Sequence, residues 1–126
     1  MYKKILITIG VVLLIGCSKG WVLDYHEPAA QFLAKDVSTK AMPYVGRHEK
    51  ITIKGIVTKV NLNDPDSSLI YLKEGIECKL SIRAMASTCK VGDTIYVDGF
   101  LKHCDKDKVL LDPATLRDPS ANFIPQ

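Results

Sequence analysis

From Lys50 onward the sequence is a succession of short alternating apolar segments, each closed by turn residues, and this pattern admits few folds besides a small antiparallel β-structure. The first segment, KITIKGIVTKV, alternates at Ile51 and Ile53, then changes phase after Gly55 to Ile56, Thr58 and Val60. A glycine at a change of phase predicts a bulged, strongly bent strand. Residues 61–68, NLNDPDSS, are dense in turn formers. Residues 69–72 predict a second strand, Glu74-Gly75 a tight connection, and residues 76–82 a third strand with Ile76, Cys78, Leu80 and Ile82 on one face. Two alternating runs joined by a short glycine-containing turn read as a hairpin.

Residues 83–90 predict a short helix or loop, and Val91-Gly92-Asp93 turns the chain. In the fourth strand, residues 94–101, Ile95, Val97, Gly99 and Leu101 alternate against Thr94, Tyr96, Asp98 and Phe100. After the charged turn Asp105-Lys106-Asp107, residues 109–111 make a fifth strand. Five strands with a helix or loop between the third and fourth are the order of an OB-fold, an all-β Greek-key barrel with little helix. The bent first strand with Gly55 and the stretch VGDTIYVDGFL resemble the corresponding strands of many OB domains. Together with the leader described next, the chain resembles the tRNA-anti-like OB domains of bacterial lipoproteins over residues 47–117. Structural glycines and alternation carry this resemblance, so it implies a fold and no activity.

Positions 1–17 read MYKKILITIGVVLLIGC. Lys3 and Lys4 are followed by an uncharged, mostly apolar run of eleven residues, Ile5 to Ile15. A helix needs ~20 residues to cross ~30 Å of hydrocarbon, so this run fits the apolar region of a secretory signal instead. Leu14-Ile15-Gly16-Cys17 resembles a bacterial lipobox. The resemblance implies cleavage before Cys17, acylation of that cysteine and anchoring to a membrane. With Ser18 next rather than Asp, it implies an outer-membrane position facing the periplasm. The expected organisation is a signal peptide at 1–16, a lipidated N-terminus, tether and short helix at 17–46, an OB-like domain at 47–117 and a tail at 118–126. Within the tether, Trp21, Val22 and Leu23 suit either the membrane interface or the domain surface. Ala29, Phe32, Leu33, Asp36 and Val37 recur at near-helical spacing after Pro28, which predicts a helix across residues 28–40 covering one end of the domain.

Charge narrows the list of partners. Removing residues 1–16 leaves 15 basic against 14 acidic side chains, and residues 47–117 carry 12 against 10. Binding to an oligonucleotide on an OB barrel needs stacking aromatics beside a basic groove. Tyr71, Tyr96 and Phe100 are the candidate platform, yet Asp64, Asp66, Asp105 and Asp107 put negative charge on the loops that would grip a strand. Nucleic acid is therefore the lesser expectation. The leading one is a non-catalytic module that engages a protein or glycan partner of the envelope through residues 61–68 and 103–108.

No motif calls for a cofactor or a metal. His103-Cys104 is followed by Asp105 and Asp107, but adjacent strand residues point to opposite faces and no second pair stands at ligand spacing. Three histidines without a neighbouring nucleophile in a recognisable turn give no case for an enzyme. After Cys17, an odd set remains: Cys78, Cys89 and Cys104. In an oxidising compartment one bridge plus one spare thiol is the simplest arithmetic, although three free thiols would also satisfy the sequence. Cys89 and Cys104 flank a strand some 33 Å long at ~3.3 Å per residue, too far for a bridge. The expected pair is Cys78 with Cys104, or else Cys78 with Cys89.

Overall fold

The computed structural model describes residues 27–63 and 68–126. Its elements are β1 (Ala30–Leu33), α1 (Ala34–Lys40), a 3-10 turn (Met42–Tyr44), β2 (Lys50–Asn61), β3 (Ser68–Leu72), β4 (Ile76–Leu80), α2 (Arg83–Ala86), β5 (Thr94–Cys104) and β6 (Val109–Arg117). The sheet runs β1-β2-β3-β4-β6-β5, and a further β2–β5 pairing closes β2 to β6 into a five-stranded barrel. All pairings within the barrel are antiparallel except β4 with β6. This is the OB-fold order that the alternation predicts.

Long β2 makes closure possible, because its two halves serve different partners. Residues 50–56 pair with β5 and residues 57–61 with β3. Its inward positions are Ile51, Ile53, Gly55 and Val57, so the alternation runs through Gly55 without a change of phase. The extra residue comes later, at Thr58, between the pairs Val57–Leu72 and Lys59–Tyr71. Gly55 serves a close approach instead: a Cβ there would lie 2.9 Å from Leu72 Cδ1 and 3.3 Å from Ala34 Cβ. Its small size lets the start of α1 settle against the barrel wall.

The N-terminal segment departs most from expectation. Residues 30–33 form a strand rather than the first turn of a helix, pairing in parallel with Ile51 to Lys54. β1 takes the edge of β2 that β3 does not reach, and only then does the seven-residue α1 begin. Phe32, Val37 and Ala41 are fully buried with the barrel interior, so this stretch is part of the core. At the other side, α2 places Met85 and Ala86 in the core, and Met85 Sδ lies 3.0 Å from the Leu116 backbone nitrogen.

Candidate binding surfaces

The three aromatic residues of the expected platform do not meet. Tyr71 stands on the outer face of β3, opposite Lys59 and Glu77, with Lys59 Nζ 5.4 Å from its ring centroid. Tyr96, on β5, packs edge-on against Phe123 at 5.3 Å and 73°, and Lys54 Nζ lies 5.5 Å from its centroid. Phe100 lies four residues further along β5, opposite Lys50 and beside His48, Lys102 and Pro113. Four residues of strand are roughly 13 Å, so Tyr96 and Phe100 cannot stack neighbouring bases of one strand without other groups between them. Tyr71 and Tyr96 are instead partnered by a lysine or a second ring.

Of the expected contact loops, residues 64–67 lie outside the described residues, as do Cys17 and the whole leader. The 103–108 turn is described and is held by its own acidic residue. Asp105 Oδ1 accepts from the backbone nitrogens of Asp107 and Lys108 at 2.8 Å each, and Oδ2 lies 2.7 Å from His103 Nε2. These contacts, that with His103 foremost, hold the Asp105 carboxyl below its ordinary range. His103 faces solvent whereas Cys104 is buried, as adjacent strand residues must be. Among the described residues no group of three or more His, Cys, Asp or Glu could hold a metal ion.

The cysteines correct an expectation. Cys78, Cys89 and Cys104 are buried, unbridged thiols. Cys78 pairs with Leu111 in β6, and Leu111 with Leu101 in β5, which leaves Cys104 two strands away and three residues further along. Strand spacing of ~4.8 Å alone separates Cys78 and Cys104 by more than the ~7 Å a bridge tolerates. The Cys104 thiol donates to the Val37 carbonyl oxygen at 3.6 Å, under α1. Cys78 and Cys89 are likewise separate thiols. Burial pushes all three above the ordinary thiol range, and the proximity of Cys89 adds to the effect on Cys78. Since the thiolate is the reactive form, iodoacetamide at neutral pH is expected to leave Cys78 unmodified in the native chain and to alkylate it fully in denaturant. Peptide mass mapping checks this; native labelling of Cys78 as fast as in denaturant would contradict the burial.

A groove not anticipated from the sequence lies between α1, β2 and the β3–β4 turn. This open groove of about 300 Å³ has a mainly apolar lining, to which Leu33, Ala34, Gly55 and Ile56 contribute together with Lys35, Lys54, Lys73 and Glu74. Ile56 is one of the larger apolar residues left exposed. The sequence carries one signal for it, Gly55, whose missing Cβ admits α1 beside β2.

A second surface lies on the outer face of β1, β2, β5 and β6. Thr52, opposite Asp98 in the β2–β5 register, donates to Asp98 Oδ1 at 2.5 Å. Arg117 Nη1 donates to Asp98 Oδ2 at 3.1 Å, and Lys50 Nζ lies 3.8 Å from the same oxygen. Outward strand positions are usually wet, but Asp98 is only 1% exposed and Thr52 fully buried. Residues 118–126 fold back toward this side, and Gln31, beside Thr52 in the β1–β2 register, contacts them.

No family model and no curated protein matches the sequence. Among solved structures, the chain is similar to one from the Schizosaccharomyces pombe Stn1–Ten1 complex, at 14% identity and a TM-score of 0.46 over 71% of this chain and 79% of that one. It is also similar to a protein assigned as an aspartyl-tRNA synthetase from Leishmania major Friedlin, at 10% identity and a TM-score of 0.45 over 82% of this chain. The chain spans about a quarter of that second protein, 24% of its length. The class that strand order and closure define is an OB-fold-like all-β domain.

Proposed function

We propose that this chain is a lipid-anchored, non-enzymatic OB-fold binding module of a bacterial envelope, and that it engages a protein partner. The anchor reading is supported by the spacing of Lys3-Lys4, the eleven-residue apolar run and Leu14-Ile15-Gly16-Cys17. The binding reading is carried by the groove between α1 and β2. A mainly apolar lining takes an apolar side chain, and three ammonium groups against one carboxylate favour acidic residues flanking it. An acidic protein segment with a protruding apolar residue meets both demands. A glycan meets them less well, because the lining offers few groups to bond its hydroxyls.

One observation favours oligonucleotide or other polyanion binding as a second reading: Lys59 over Tyr71 and Lys54 over Tyr96 are cation–aromatic pairs on the barrel wall. The distance between those pairs and the carboxylates of the 105–107 turn weigh against it.

Two measurements test the proposal together. Radioactive palmitate is expected to label the wild type and not Cys17→Ala. A photocrosslinker at position 73 is expected to yield, in envelopes, an adduct that protease removes and nuclease does not, and that Lys35→Glu with Lys54→Glu suppresses at least fivefold. An adduct sensitive to nuclease, or indifferent to the charge reversals, would favour the second reading or refute the groove. Absence of palmitate label would remove the anchor.

A further inference from the structure

We propose that the cleft alongside β1 is a binding site for an extended peptide segment carrying one aromatic residue, and that residues 122–126 occupy it in cis. This goes beyond the lysine-lined groove, because the recognition elements are Gln31, Lys40 and Tyr96.

Gln31 lies on the edge strand and is 8% exposed. Its side-chain Nε2 donates to the Asn122 carbonyl oxygen at 3.3 Å, and its Oε1 accepts from the Ile124 backbone nitrogen at 2.8 Å. A primary amide thus spans the acceptor and donor that a chain presents at positions i and i+2. The Gln31 backbone carbonyl accepts from the Gln126 nitrogen at 2.9 Å, and Lys40 Nζ donates to the Gln126 carbonyl oxygen at 3.2 Å. These four contacts all reach main-chain atoms, which any peptide supplies. Sequence is read at one position: the Phe123 ring meets Tyr96 edge-on, with Lys54 Nζ 5.9 Å from its centroid. The opposite side of the segment faces water, with Ile124 75% exposed.

An edge strand is where an extended chain can add by backbone bonding, with side-chain pockets giving selectivity. Here the edge is covered by the protein's own chain, returned to it by a tight turn. Asp118 Oδ1 accepts from the Ser120 backbone nitrogen at 2.9 Å and from its hydroxyl at 2.8 Å, and the Asp118 carbonyl accepts from Ala121 at 3.0 Å. A connector this short gives the cis segment an effective concentration on the order of millimolar. A free peptide making the same contacts is therefore weak against the intact protein, and it gains when the aromatic anchor of the cis segment is removed.

The probe is a fluorescein-labelled hexapeptide of residues 121–126, Ala-Asn-Phe-Ile-Pro-Gln, titrated with full-length protein and followed by anisotropy. Phe123→Ala protein is expected to bind it roughly tenfold more tightly than the wild type, in line with the size of one aromatic contact. Adding Gln31→Ala, or replacing the peptide's phenylalanine by alanine, is expected to remove that binding. Equal binding by wild type and Phe123→Ala, binding indifferent to Gln31→Ala, or none at millimolar protein would overturn the proposal. Hydrogen exchange on the wild type supplies a readout that does not depend on any variant folding. Excess peptide is expected to accelerate exchange at the Ile124 and Gln126 amides and leave Ile53 and Val97 unchanged; unchanged exchange at the first pair counts against the site. Loss of the lysine-dependent crosslink with peptide binding intact would sink the groove alone, and the converse would sink the cleft alone.

Discussion

Phe32→Ala is expected to lower the free energy of unfolding by about 3–5 kcal/mol, read from a urea titration of the full chain. Phe32 is completely buried although it belongs to the N-terminal segment, outside the closed barrel. Its ring packs edge-on against Tyr44 at 5.8 Å and 68°, and it joins the same cluster as Ile51, Ile53 and Val37. Truncation removes the apolar area of the ring and leaves a void that β1, held by four backbone pairs to β2, closes only in part. The prediction separates two architectures. If residues 30–44 were a tether resting on a self-sufficient barrel, the substitution would cost well under 1 kcal/mol. A loss near that lower figure would mean that β1 is dispensable.

That segment also shows how one apolar spacing can serve two structures. Ala29, Phe32, Leu33, Asp36 and Val37 suit a helix, but the chain breaks the set at Leu33, where a strand ends and α1 begins. What decides is an edge: β3 reaches only residues 57–61 of β2, and the backbone of residues 51–54 needs a partner. No local signal encodes that vacancy. The barrel strands were legible because each one alternates, and Ile76, Cys78 and Leu80 do face inward together. Gly55 was read as a bulge because glycine is common there, whereas its actual constraint is the approach of Ala34 and Leu72. Which cysteines come near one another is not legible in the alternation, because β6 lies between β4 and β5 and the register along β5 shifts between Gly99 and His103. Tyr71, Tyr96 and Phe100 were legible as strand aromatics, but residues on separate strands, or four apart on one strand, do not make a shared patch. The lysine groove depends on residues 34–35, whose helical spacing does not say where they dock, and the Gln31 cleft on residues 118–126, which carry no pattern, folding onto the wall.

Asp98→Ala is expected to cost about 3–5 kcal/mol, because it takes the buried counter-charge from the buried Arg117 guanidinium and one anionic neighbour from Lys50. The Lys50 and Arg117 side chains are 11% and 5% exposed, and both reach Asp98 Oδ2. Glu27 lies 3.9 Å from Arg117 but is itself 84% exposed, so it cannot replace a buried carboxylate. Thr52, fully buried, would also lose the acceptor of its hydroxyl. The cost of breaking the cluster is not its net contribution, since desolvating three charged groups offsets much of their attraction. A double-mutant cycle with Arg117→Met distinguishes these quantities. Removing the arginine as well should restore roughly half of the loss, giving a coupling energy above about 1 kcal/mol between the two sites. Strictly additive effects would mean that Asp98 acts mainly through Thr52, and a loss under about 1 kcal/mol would mean that water reaches the cluster beneath residues 118–126.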